Sequence, residues 1–218
     1  MQPYSHFAIA AQLEAEIHPD TPADYYWGAV AADIRVTAGL PRERTHLPPK
    51  QVLEFQYKYP HLKAFIRGYM VHILADLVDV HALVSKRPLM SLILRNKGPK
   101  FAQNLIEEFY IERRRALKPV ALLHNEMLND LGISRENVTS EAEFMAPYLQ
   151  KPDYRITLAY LKKTANGQNF GQTMLEVEKL HNSTLGKPIL FYLASLEKLN
   201  QQVLKQIRAT EAFRQICN

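Results

Sequence analysis

His72 and Asp76 stand four residues apart in the run FIRGYMVHILADL, which carries apolar residues at helical spacing. That separation puts an imidazole and a carboxylate on one helix face, one turn apart. Both are ordinary ligands for zinc and similar divalent ions. Their neighbours Ile66, Tyr69, Met70, Ile73, Leu74 and Leu77 are apolar, so the pair needs partners if it is buried. A metal ion would satisfy both groups, and so would a His–Asp hydrogen bond. From this helix alone the two readings stand level. Gly68 lies one turn before His72 and Asp79 continues the same line. A glycine inside a helix costs about 1 kcal/mol relative to alanine, so it has a reason to be there. It either clears room for a ligand or admits a second helix at close range.

Three further segments hold polar residues of the same chemistry. His6 lies near the start of the chain in SHFAIA, Asp33 closes YYWGAVAADIR, and His46 sits in RERTHL. Each alone is bland, because a lone histidine is more often a surface or core residue and a helix-end aspartate is commonly a cap. Arg35, Arg42 and Arg44 cluster around Asp33 and His46 in the sequence. A guanidinium fork suits phosphate oxygens, although surface charge on a loop is the commoner role.

The elements that would position these residues are helices. Only 8 glycines occur in 218 residues, and no hairpin dipeptide separates alternating runs. A first helix is expected from Ser5, as its cap, to Ile17, where His18-Pro19-Asp20 ends it. A second starts near Thr21 or Pro22 and carries Tyr25, Tyr26, Trp27, Val30 and Asp33. Residues 36–49, with Gly39, Pro41, Pro48 and Pro49, read as a loop. A helix of about 20 residues follows Pro60 and runs through HLKAFIRGYMVHILADLVDVHALV. Later helices are expected at 99–117, at 119–131 with Gly132 as its stop, at 139–149 with a Ser140–Glu143 capping box, and at 153–165, 170–182 and 187–214. The fold class is therefore all-α, a multi-helix bundle in one domain, 1–218. Residues 1–85 form its metal-site half and 86–218 a helical remainder.

Composition narrows the function. Hydrophobic residues make up 47%, enough for a sizeable core, and the net charge of +5 tolerates an anionic substrate without demanding one. Nucleic acid is not indicated, because the densest basic run is only Arg113-Arg114-Arg115. The single cysteine, Cys217, cannot form an internal disulfide, and no signal peptide or membrane span is expected. The expected location is cytoplasmic. No glycine-rich phosphate loop, nucleophile elbow or CxxC motif appears. No adjacent His-Asp dipeptide occurs either, which disfavours the His-Asp type of helical phosphohydrolase.

Taken in order, SHFAIAAQL, WGAVAADIR, THL and FIRGYMVHILADL resemble the zinc-dependent phospholipase C family, within the superfamily that also holds zinc single-strand nucleases, and its small unsecreted bacterial branch in particular. The resemblance covers about residues 5–80. It implies an all-α fold and hydrolysis of phosphate esters at a cluster of up to three metals. It further implies that His46, His72, Asp76 and Asp33 hold one ion, that His6 and a shared carboxylate help hold a second, and that Asp33 is the base acting on the attacking water. The implied cofactor is a divalent metal, zinc first, as one or two ions. The implied partner is a small phosphorylated substrate. Two departures are plain. Secreted members use the amino group of a mature N-terminal tryptophan as a ligand, whereas this chain reads Met1, five residues before His6. No histidine here is followed four residues later by glutamate, the pair that completes the family's remaining site. His81, Glu107, Glu108, Glu112, His124, Glu126 and His181 are the substitutes, with His81 out of phase with His72 if their helix is unbroken. The alternative function is a non-catalytic helical scaffold or binding protein that retains part of the metal site.

Overall fold

Twelve consecutive residues, Ala64 to Ala75, are buried on every side of one helix, and the rest of the fold is arranged to cover them. The computed structural model describes residues 3–86, 120, 122–150, 179 and 197–218, and every regular element among them is helical. The first is α1 (Pro3–Ile17), followed by α2 (Pro22–Ala31), a 3-10 turn (Ala32–Ile34), α3 (Arg35–Ala38), α4 (Arg42–Thr45), α5 (Pro49–Lys58), a second 3-10 turn (Pro60–Leu62), α6 (Lys63–Leu77) and α7 (Val80–Ser85). Then come α8 (Glu126–Asp130), α9 (Arg135–Gln150), α10 (Glu197–Ala209) and α11 (Glu211–Cys217). No described helix is long and apolar enough to cross a membrane.

The centre is the pair α2 and α6. Tyr25, Tyr26, Trp27 and Val30 on α2 meet Phe65, Ile66, Tyr69, Met70 and Ile73 on α6 in one continuous core, which α1 completes with Tyr4, Phe7, Ile9, Leu13 and Ile17. The two central helices approach through glycines. A Cβ on Gly68 would fall 1.9 Å from the Tyr25 carbonyl oxygen, and one on Gly28 would fall 1.9 Å from that of Phe65. Gly68 therefore answers to the close packing of another helix, the second of the two reasons the sequence leaves open. Polar anchors fix α1 onto this pair. Tyr25 donates to the Ala10 carbonyl, Tyr26 to Glu14, and the buried Arg67 to the Ile17 carbonyl at the end of α1. The described parts of the later chain join the same core. Trp27 donates to the Leu123 carbonyl, Gln12 and Asn200 exchange amide hydrogen bonds, and Arg208 grips Glu16 through two nitrogens.

Several boundaries differ from expectation. α1 begins at Pro3, so Ser5 is buried inside the helix rather than capping it. His18 takes a left-handed φ of 48° and, with Pro19, stops the helix where the sequence placed its end. The 36–49 segment is not a plain loop, because it holds the end of α3 and all of α4. α5 was not among the expected elements, although Pro49 in its first turn is a helix-start signal. The long central helix stops at Leu77, where Val78 is extended, and Asp79 accepts from Ala82 N to cap α7. Asp79 thus leaves the line of His72 and Asp76. Near Gly132, which takes a φ of 73°, α8 is shorter than expected and is capped by Asn125. The stretch 187–214 divides at Thr210, which caps α11, and 187–196 lies outside the described residues. So do the helices expected at 99–117, 153–165 and 170–182, apart from Lys179.

α9 starts at Arg135, four residues before its expected beginning. Ser134 Oγ accepts from Asn137 N, and Asn137 Oδ1 accepts from Ser134 N, so the reciprocal capping box lies there and not at Ser140–Glu143. Ser134→Ala is expected to cost about 1 kcal/mol, or roughly 2–4 °C in thermal unfolding, whereas Ser140→Ala should leave the midpoint unchanged. The reverse order would restore the capping box to Ser140.

Candidate metal centre

The glycine crossing of α2 and α6 is what orients His72. Because the backbones touch, the Ala29 carbonyl reaches His72 Nδ1 at 2.9 Å. A carbonyl only accepts, so Nδ1 carries the proton and Nε2 presents a bare lone pair. Metal-binding imidazoles are commonly held in place by an outer-shell hydrogen bond of this kind. His72 Nε2 faces His46 Nε2 at 3.3 Å, and His46 follows the last residue of α4. His46 Nδ1 lies 3.0 Å from the hydroxyl of Thr45, whose backbone carbonyl accepts from Tyr69 on α6. Tyr69 thereby ties the His46 loop to the helix that carries His72 and Asp76.

Asp76 divides its two oxygens. Oδ2 is 3.1 Å from His46 Nε2, and Oδ1 is 3.3 Å from His6 Nε2. The His6 ring stacks on the His72 ring with centroids 3.6 Å apart. Asp33, on the 3-10 turn after α2, joins His6 and His72 in one group of ligand atoms that lie within 4.8 Å of one another. His46, His72 and Asp76 form a second such group. All five residues singled out in the sequence therefore meet, with His72 common to both groups.

Burial leaves unmet demand in this cluster. His6 is fully buried, yet among the described residues neither of its ring nitrogens has a hydrogen-bond partner. The approach to Asp76 is close enough for electrostatic attraction but out of line for a hydrogen bond. Asp33 Oδ2 is likewise buried with no hydrogen-bond partner among the described residues. Buried polar atoms are nearly always satisfied, so two residues with orphaned atoms, His6 and Asp33, that each offer one ligand atom beside His72 fit a bound cation. The protonation states agree. Burial, with His72 beside it, pushes His6 down to about 3, and burial pushes His72 down to about 3. Both rings are neutral near pH 7 and have lone pairs to give. Burial alone would raise Asp76, but other influences, including its contacts with His46 and His6, more than reverse that and keep it a carboxylate.

The three arginines separate. Arg42 Nη2 lies 2.5 Å from Asp76 Oδ2 and reaches the cluster. Arg44 turns away, donates to the Leu131 carbonyl and lies over Gly132. Arg35 keeps a buried Nε that has no partner among the described residues. Of the substitutes for the remaining family site, His124 Nε2 bonds to the Ile133 carbonyl, and Glu126 pairs with the exposed His61. Neither belongs to the cluster. His81 rides on α7 beyond the break at Val78, so the unbroken-helix phase argument does not govern it, and it too belongs to neither group. Glu107, Glu108, Glu112, His181 and Met1 lie outside the described residues. What sequence reasoning missed were the supports: the Ala29 carbonyl, Thr45 and the Tyr69 hydroxyl. Gly28 and Gly68, at equivalent places on two apolar helices, were the signal available for the first. No protein-family model matches the chain, and neither does a curated protein or a solved structure.

Proposed function

We propose that this protein is a metal-dependent hydrolase of phosphate esters, with His6, Asp33, His46, His72 and Asp76 holding one or two divalent ions, zinc first. The observation that carries the metal reading is that two residues with orphaned buried atoms, His6 and Asp33, each offer a ligand atom within 4.8 Å of one offered by His72. A single imidazole lone pair serves one ion, so His72 belongs to one position, which it would share with His46 and Asp76, leaving Asp33 with His6. Asp76, with one oxygen toward His46 and the other toward His6, is suited to bridge to a second position at His6. The metal, when bound, would acidify a water and neutralise phosphoryl charge. Asp33 would accept the water's proton at Oδ2, which no described residue occupies. The Ala29 carbonyl and the Thr45 hydroxyl hold the two imidazoles in their ligating orientation. The phosphate-ester specificity itself comes from the family resemblance, which supplies reaction class and not substrate.

Asp33→Asn keeps the size and one ligating oxygen but removes the base. With bis-p-nitrophenyl phosphate and p-nitrophenyl phosphate as substrates, turnover is expected to fall by about a hundredfold or more while metal content is retained. Equal turnover in the variant would remove Asp33 from the role. One observation favours the non-catalytic scaffold: Arg42 already supplies Asp76 with a cation, as a purely structural polar core would require. Metal-loaded wild type that turns over neither ester would support that reading.

A further inference from the structure

Among the described residues, Arg42 reaches the cluster while keeping much of its side chain exposed to solvent. Its side chain is 48% exposed, whereas that of Asp76, which it contacts, is only 7% exposed. It opens the four-residue helix α4, four residues ahead of His46, so it is carried by the same short segment that delivers a ligand. That segment is entered through Gly39, left-handed at φ 64° with open space around it, and through Pro41. The guanidinium has five N–H donors, and among the described residues its one hydrogen-bond acceptor is Asp76. Arg44, two residues on, is committed to Leu131, so of these two arginines Arg42 is the one that reaches the cluster.

A cation held against a ligand carboxylate is a poor arrangement for metal affinity alone. It draws electron density from Oδ2 and repels a divalent ion a few ångströms away. The same charge is well placed for a second ligand, one that carries negative oxygens and comes in from solvent over the metals. On the metal reading above, we propose that Arg42 is the anion-binding arm of the site. It gives up part of the metal affinity in order to hold a phosphoryl oxygen of the substrate through its remaining N–H donors. The substrate class this selects is an ester with a charged, accessible phosphoryl group, whether monoester or diester, and not a neutral ester.

The inference predicts effects of opposite sign on two ligands, which a merely structural ion pair would not produce. Zinc affinity is measured by competition with a chromophoric chelator, and inorganic phosphate binding to the zinc-loaded protein by calorimetry, for wild type, Arg42→Gln and Arg42→Lys. Arg42→Gln is expected to bind zinc several-fold more tightly and phosphate about tenfold more weakly. Arg42→Lys should keep zinc near the wild-type value, because it keeps the charge. It should hold phosphate at an intermediate affinity, because it loses the fork. Circular dichroism confirms that each variant is folded. Zinc bound normally, with phosphate affinity unchanged by Arg42→Gln, overturns this inference alone. A wild type that takes up no zinc overturns the metal reading and this inference together.

Discussion

Gly68→Ala, like Gly28→Ala on the other side of the same crossing, is expected to destabilise the fold strongly. The new Cβ would lie 1.9 Å from the Tyr25 carbonyl oxygen, 2.8 Å from its carbon and 2.9 Å from Ala29 N. All three are backbone atoms of α2, so no side chain can swing aside. Alanine recovers about 1 kcal/mol of helix propensity, but forcing apart two packed helices costs more. A net loss of about 3 kcal/mol corresponds to roughly 10 °C in the unfolding midpoint of a chain this size. The consequence reaches the site, because moving α2 away from α6 also removes the Ala29 carbonyl from His72 Nδ1. Thermal unfolding of Gly68→Ala and Gly28→Ala checks both sides of the crossing. Variants as stable as wild type would mean that the two helices do not touch there.

His72→Ala is expected to have the largest effect on the site. His72 belongs to both groups of ligand atoms, so its loss breaks both. Two costs add to the lost ligand. A fully buried imidazole leaves a cavity, and the Ala29 carbonyl loses its donor, together about 2–4 kcal/mol. The metal-free variant should therefore be less stable than metal-free wild type, and added zinc should raise the midpoint of wild type only. His124→Ala is the control, since His124 bonds to the Ile133 carbonyl and belongs to neither group. Equal zinc stabilisation of wild type and His72→Ala would contradict the assignment.

How much of this was legible in the sequence depends on what kind of signal each feature leaves. The helical class is written in apolar spacing, and so are the buried faces of α1, α2 and α6. The break at Val78 is not, because LVDVH contains no glycine or proline. The stop comes from an aspartate two residues beyond the helix, capping the next one. Ser140–Glu143 fits the Ser-x-x-Glu pattern and Ser134–Asn137 does not, so only the structure shows that Ser134 has the backbone partner. The five site residues were visible as types in an order, yet sequence alone could not bring His6, 66 residues before His72, onto its ring. That contact follows from α1 packing against both α2 and α6. Arg42 and Arg44 are indistinguishable in RERT, where two residues amount to about half a helical turn. One consequently faces Asp76 and the other Leu131. The hydrogen bond from Tyr69 to the Thr45 carbonyl carries no sequence signature, and the one from His72 to Ala29 is signalled only indirectly, by Gly28 and Gly68.

The most direct test of the central claim is elemental analysis of untagged protein, purified without chelator and then exposed to zinc and desalted. About one to two equivalents of zinc retained by wild type, and lost in His72→Ala, is the result the metal centre predicts. No zinc in either, with no change in thermal stability on adding zinc or manganese, would show that the five residues form a hydrogen-bonded polar core with no metal in it.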